Sequence, residues 1–145
     1  MHITSFTDYA LRVLIYAATK APEQCTIAEI AACYNISRNH LMKVVQTLNQ
    51  RGYLCAQRGK NGGLRLKGPA NEINLGQLIR EIEQDKPLVE CFSYDNQCLI
   101  TPACQLKGIL AEAQQAFYQS LDRYTLADLV TARSQPQLMQ LLNLA

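Results

Sequence analysis

The chain has none of the marks of an enzyme or a membrane protein. Its 145 residues show no glycine-rich nucleotide loop, no nucleophile set beside a base and no acidic site of substrate size. The small redox or cluster-transfer enzyme that its cysteines bring to mind therefore has no sequence support. The apolar stretch from Leu11 to Ala18 is far too short to span a bilayer, which takes about 20 residues. Asp8 and Arg12 interrupt the N-terminus where a signal peptide would need an apolar run. The expectation is a cytoplasmic protein without membrane contact, its cysteines kept reduced. Internal repeats and low-complexity segments are absent, and no tight C-x2-C knuckle marks a structural zinc.

Charge of one sign is missing from each half in turn. Through residue 70 there are nine Lys/Arg against three acids, a net of +6. From residue 71 there are five against nine, a net of −4, and together these give the overall +2. Only the front half is suited to meet a polyanion. With 48% apolar residues the chain can bury one core, and a division into residues 1–70 and 71–145 of a single compact unit follows the charge.

The front half reads as a winged helix-turn-helix. Ser5 opens a first helix as its cap, with Phe6, Tyr9, Ala10, Val13, Leu14 and Ala17 at the helical repeat, and Ser5-x-x-Asp8 has the form of a capping box. Thr26 with Glu29 makes another capping box for a short helix to about Tyr34. After the Asn35-Ile36 turn, Ser37 is a natural cap for a third helix, which turns Leu41, Val44, Val45 and Leu48 inward and ends at Gly52. Its outward face carries Arg38, Asn39, His40, Lys43 and Gln46, a polar and cationic set suited to a major groove. Residues 53–58 and 64–67 then read as two strands joined by Gly59-Lys60-Asn61-Gly62-Gly63, where glycine and asparagine are expected to supply positive φ. Arg58, Lys60, Asn61 and Arg65 lie on or beside that wing, placed for phosphates or a minor groove. The bland alternative is a solvated basic helix beside a flexible loop.

The back half reads as helix, loop and helix. Asn74 caps residues 75–84, with Leu75, Leu78, Ile79 and Ile82 on one face, and Pro87 marks the end of that stretch. Thr101 is expected to cap a long helix with Pro102 at its first position, which puts Cys104 in the first turn. Leu106, Ile109, Leu110, Ala113, Phe117 and Leu121 make an apolar stripe with little other protein to cover it, so the helix is expected to pair with its twin in a homodimer. Two reading helices about 34 to 36 Å apart would then match successive major grooves. Thr125 with Asp128 opens a last short helix, and the tail from Ser134 is expected to be loosely held. The fold class is mainly α with a small β-hairpin wing, a winged helix-turn-helix followed by a long C-terminal dimerisation helix.

Cys91, Cys98 and Cys104 stand within fourteen residues of one another. Three is the wrong number for a closed disulfide set, whereas three thiolates on one loop can hold three irons of a cubane cluster. Buried packing is the competing reading. Cys25, Cys33 and Cys55 lie inside patterned segments and read as core.

Four motifs in order carry a resemblance across nearly the whole chain. They are Ser5-Phe6-Thr7-Asp8-Tyr9-Ala10-Leu11-Arg12, Ser37-Arg38-Asn39-His40-Leu41-Met42-Lys43-Val44, the wing from Arg58 to Leu66, and Ile100-Thr101-Pro102-Ala103-Cys104. Together they resemble the iron-sulfur winged-helix regulators, the family that includes IscR, and within it the nitric-oxide-sensing branch. The resemblance implies a homodimeric repressor of inverted-repeat operators on double-stranded DNA, with one [4Fe-4S] cluster per subunit, a [2Fe-2S] form being the alternative. The implied ligands are Cys91, Cys98 and Cys104, with Asp8 of the partner subunit as the fourth. In the IscR-like branch a histidine three residues after the last cysteine is a ligand. Here that place is Lys107, whose ammonium cannot coordinate iron. The chain departs from the family in having six residues, 92–97, between its first two cysteines instead of four or five. The added length is expected to bulge outward.

The implied switch has two states. An intact cluster ties the loop to the partner's first helix and holds the reading heads at operator spacing, and nitric oxide breaks that tie at the hard aspartate ligand. The alternatives are a cluster or zinc regulator answering another signal, such as cluster status, oxygen or redox stress, and a zinc-stabilised adaptor with no sensing role.

Overall fold

The computed structural model describes residues 2–144. Helix α1 (Ser5–Lys20) is the central element, with Ala10, Val13, Leu14 and Ala17 buried along one side. It is not capped as expected. Thr4, not Ser5, is the N-cap, accepting from the Thr7 amide at 3.3 Å, and Asp8 takes no part in a capping box. The Asp8 carboxylate instead pairs with Arg12 one turn on, at 2.8 Å.

Helices α2 (Ile27–Tyr34) and α3 (Arg38–Gln50) form the helix-turn-helix. Thr26 and Glu29 close the expected capping box, Asn35 takes the left-handed conformation at φ 54° to end α2, and Ser37 accepts from the His40 amide to start α3. Leu41, Val44, Val45 and Leu48 are all buried, as the helical spacing predicts.

Strands β1 (Leu54–Gln57) and β2 (Gly63–Leu66) pair antiparallel with Leu54 opposite Leu66 and Ala56 opposite Leu64. Gly59 has φ +108°, a conformation that L side chains rarely adopt, whereas Asn61 is not in that region, contrary to expectation. Cys25 adds a short bridge to the far edge of Leu64, with its amide donating to the Leu64 carbonyl at 3.0 Å and its carbonyl accepting at 2.7 Å.

Helix α4 (Leu75–Glu83) is capped by Asn74, as the sequence predicts, and buries Leu75, Leu78 and Ile79. Helix α5 (Gln105–Leu121) starts later than expected. Thr101–Ala103 is a separate 3-10 turn, and Cys104 stands in extended backbone as the residue preceding α5 instead of inside its first turn. The Thr101 hydroxyl caps nothing and donates to the Cys98 carbonyl at 2.9 Å. At about 1.5 Å per residue α5 is roughly 25 Å long. None of its side chains is fully buried, and Leu106 and Ile109 are 56% and 61% exposed.

After α5 the chain returns to the core. Asp122 accepts both guanidinium nitrogens of Arg80, at 2.6 and 2.7 Å, and packs so closely on Gly76 that a Cβ there would clash with it. Thr125 and Asp128 form their capping box at α6 (Leu126–Leu129), which sinks Leu126 completely into the core. The tail is not loose. It forms α7 (Gln135–Leu141), and the buried Leu142 and partly buried Leu144 complete the core, with α7 packed against α1. The expectation failed because Gln and Pro at the surface of a short helix say nothing about the leucines on its other side.

Candidate DNA-reading head and cysteine loop

The basic face is built by α3 and the wing. Arg38 and Asn39 are exposed in the first turn, Lys43 and Gln46 one and two turns on, with Ser37 exposed before them. Asn39, Lys43 and Gln46 form one wall of an open groove, and Gln57, Arg58, Gly62 and Gly63 form the other. The Asn49 side chain accepts from the Ala56 amide at 3.2 Å and clips β1 to α3, fixing the width of that groove. Lys60 and Asn61 stand exposed at the tip. His40 is placed differently from its neighbours. Its ring lies edge-on to Tyr9 at 4.8 Å and near Phe6 at 6.4 Å, so it joins α1 to α3 while remaining partly exposed.

Met42 was not among the expected reading residues. It is 55% exposed on the same face and lines the groove with Asn39 and Lys43. Its position three residues after Asn39 was a usable signal, overlooked because apolar residues of a helix are ordinarily assigned to the core.

The cysteines divide into two sets, not quite as expected. Cys25 is buried, and desolvation, followed by the nearby Glu29, pushes its thiol up to about 12. Cys33 is half-buried, with burial raising its thiol. Cys55 is exposed on the outer face of β1, so it is not a core residue.

Cys91 lies in the 3-10 turn Glu90–Phe92, and Cys104 at the start of α5. The two line one shallow hollow together with Lys107, Gly108 and Ala111. Cys98 is exposed on the intervening loop and does not line that hollow. The loop is organised by its own polar groups. The Glu90 carboxylate accepts from the Gln97 amide at 2.9 Å, Asn96 accepts from the Cys98 amide at 2.9 Å, and the Asn96 amide group donates to Thr101 at 2.8 Å. Tyr94 and Asp95 are exposed on the same loop, and Tyr94 lines the hollow with Cys91 and Cys104.

An iron-sulfur cluster needs thiolate sulfurs converging on one body. The donors fit in kind, because all six cysteines are free and two of the three on this loop already share a hollow with a lysine at its edge. Among the described residues no three His, Cys, Asp or Glu side chains are gathered closely enough to hold one metal ion. Bringing Cys98 inward is the adjustment such a group requires of this chain. Asp8 lies elsewhere, on α1, half-exposed in its ion pair with Arg12, whose guanidinium also lies over the Tyr9 and Tyr34 rings at 5.6 and 5.7 Å.

A further residue, unforeseen in the sequence, joins the two regions. One oxygen of Glu83 accepts from the Thr4 amide at 3.0 Å, the Thr4 hydroxyl at 2.8 Å and the Thr7 hydroxyl at 2.5 Å. Burial works to raise this carboxyl, but the hydrogen bonds from Thr7 and Thr4 outweigh it and hold the group below the usual range.

This fold, with a basic winged helix-turn-helix and an apolar helix left open, defines a regulator of transcription. The chain belongs to the Rrf2 family, described as iron-dependent transcriptional regulators, whose model matches residues 3–132. It is similar to the HTH-type transcriptional regulator NsrR of Bacillus subtilis (strain 168), with 46% identity over 146 residues, 99% of each chain. Among solved structures it resembles Staphylococcus aureus CymR, with 26% identity, TM-score 0.67 and coverage of 87% of this chain and 95% of that one. It shares its fold with T. potens IscR, with 20% identity, TM-score 0.71 and coverage of 94% and 91%. The protein is thus a transcriptional regulator homologous to NsrR, and not an enzyme. Among the described residues no helix is long and apolar enough to cross a membrane.

Proposed function

We propose that this protein is a DNA-binding repressor whose grip on its operator is set by an iron-sulfur cluster that responds to nitric oxide. The observation that carries this reading is the sorting of the cysteines. Cys91 and Cys104 face one hollow beside Lys107, with Cys98 on the loop between them, while Cys25 is sealed in the core. Cys91, Cys98 and Cys104 are the thiolates that would hold a [4Fe-4S] group, and Asp8 of the partner subunit is the oxygen donor. Because Asp8 caps nothing in its own helix, its carboxylate can exchange Arg12 for another cation with little loss to the fold. When bound, the cluster supplies a centre that nitric oxide attacks and a tie between the two subunits.

The protein's own residues supply the rest. Ser37, Arg38, Asn39 and Lys43 present donors and acceptors to base edges and phosphates, with His40 positioning α3 against α1. Arg58, Lys60 and Asn61 place the wing beside the duplex. The open stripe of α5 pairs two copies in the cytoplasm, so two heads meet an inverted repeat. A tenfold to hundredfold change in operator affinity takes only about 1.4 to 2.8 kcal/mol of coupling.

Anaerobically purified protein tests the proposal. It is expected to be brown, to contain iron and sulfide, to retard an operator fragment, and to release it as stoichiometric nitric oxide bleaches the absorbance. Colourless protein with stoichiometric zinc, or protein still bound to operator after complete bleaching, would remove cluster control.

A further inference from the structure

The geometry points to Glu83 as a positioning residue that ties the start of the cysteine loop to the helix bearing Asp8, so that a movement of the loop is delivered to the reading head. This inference rests on the reading of loop and head given above and assigns the connection between them. Glu83 is the last residue of α4, and residues 84–89 lead from it to the 3-10 turn that carries Cys91. Its carboxylate reaches across 79 residues of sequence to Thr4 and 76 to Thr7. Thr4 is the N-cap of α1 and Thr7, fully buried, is adjacent to Asp8. One carboxylate oxygen thus collects all three donors at the end of α1 that also presents Asp8.

The connection continues inward through the same turn of α1. Phe6 and Tyr9 flank Thr7 and Asp8 in sequence, and both rings meet His40 in the first turn of α3. A shift or rotation at the head of α1 therefore bears on the start of α3, where Arg38 and Asn39 face outward.

The Thr4 hydroxyl already caps α1 by accepting from the Thr7 amide, so the helix does not need Glu83 in order to start. The carboxylate does something else: hydrogen bonds to a charged acceptor are short and directional, and they fix the end of α4 relative to α1. Such a joint has two arrangements, made or broken, and that is the property a transmitting contact needs.

The test compares wild type, Glu83→Ala, Glu83→Gln and Thr7→Val, all as full chains, on an operator selected by wild type from randomised duplexes. Affinity is measured with cluster loaded and with cluster removed, and backbone hydrogen exchange is followed in the cluster-free protein. Wild type is expected to show a loaded-to-free affinity ratio of about tenfold or more. In Glu83→Ala the ratio should fall to within about twofold while cluster absorbance is kept, and Glu83→Gln, which retains a carbonyl acceptor, should recover part of it. In the cluster-free protein, Thr7→Val should speed exchange in residues 84–91 as well as at the head of α1, a reciprocal effect that a purely local cap would not produce. If Glu83→Ala proves unable to fold, Thr7→Val, which keeps the shape and removes one donor, decides by the same two measurements. A wild-type ratio near one overturns cluster control and this inference with it. A wild-type ratio of tenfold that is unchanged in both Glu83→Ala and Thr7→Val, or unchanged exchange in residues 84–91, overturns the inference alone.

Discussion

The front of the chain hides the apolar side chains along one side of α1 and α3 within the protomer, while α5 leaves Leu106 and Ile109 in the open. Leu14, Leu41, Val44 and Leu48 lose nearly all contact with water among α1, α2 and α3, whereas Leu106 and Ile109 keep more than half of their surface exposed. The two regions have similar helical patterns, so pattern alone did not set the difference. It comes from what surrounds each stripe. α1 has neighbours on several sides, including α3, α4, β2, α6 and α7, but the helical neighbour of α5 is α4, held through Arg80, Asp122 and Tyr118. The part of the stripe that α4 leaves uncovered, Leu106 and Ile109, is the surface that the proposed pairing of two copies would use.

The sharpest way to break that contrast is through the cysteines. Replacing Cys91, Cys98 or Cys104 singly with Ala is expected to abolish stable cluster binding, because each substitution removes one of only three thiolates, while Cys55→Ala should leave the visible spectrum intact. Iron and sulfide content of anaerobically purified variants measures this directly. A triad variant with full cluster content would remove that cysteine from the ligand set.

Next in size is the packing difference itself. Leu48→Ala in the core should cost about 2 to 5 kcal/mol in urea unfolding, whereas Ile109→Ala, which opens no cavity in the protomer, should have little effect on protomer stability. Ile109→Glu should shift sedimentation from dimer to monomer with the far-ultraviolet spectrum retained. A persistent dimer would place the subunit interface elsewhere.

Within the reading head the expected effects are smaller and differ in kind. Arg38→Ala should cost about 1 to 3 kcal/mol, mainly on operator, while Lys60→Ala should weaken operator and random DNA alike and reduce the salt slope by about 1. Titrations at several salt concentrations distinguish the two. Equal losses on both DNAs for Arg38→Ala would move that residue from base reading to backbone contact.

Asp8 is expected to contribute little to stability. Because it pairs with Arg12 on an exposed helix face and caps nothing, Asp8→Ala should cost only about 0.3 to 0.5 kcal/mol in thermal unfolding. The same substitution should alter the cluster's spectrum and its rate of reaction with nitric oxide. A large fall in melting temperature with an unchanged spectrum would reverse that assignment and make Asp8 a structural residue.

Much of this was legible in the chain because the physics concerned is local. The capping boxes at Thr26 and Thr125, the cap at Ser37, the buried set Leu41, Val44, Val45 and Leu48, and the hairpin between two short strands each follow from residues within a few positions of one another. The nearness of Cys91, Cys98 and Cys104 along the chain and the charge difference between halves were equally plain, but the structure brings only Cys91 and Cys104 to one hollow. Other features were not decided locally. Thr4 replaces Ser5 as the cap of α1 while Glu83 gathers the donors there, the 3-10 turn before Cys104 displaces the start of α5, Cys55 faces outward, and α7 seals the core with Leu142. Caps, periodicity and turns are fixed by neighbours along the chain, and so the sequence by itself determined them. Which carboxylate meets a helix end, which cysteines share a hollow and which stripe stays open depend on side chains far apart in sequence, and only the tertiary structure decided those.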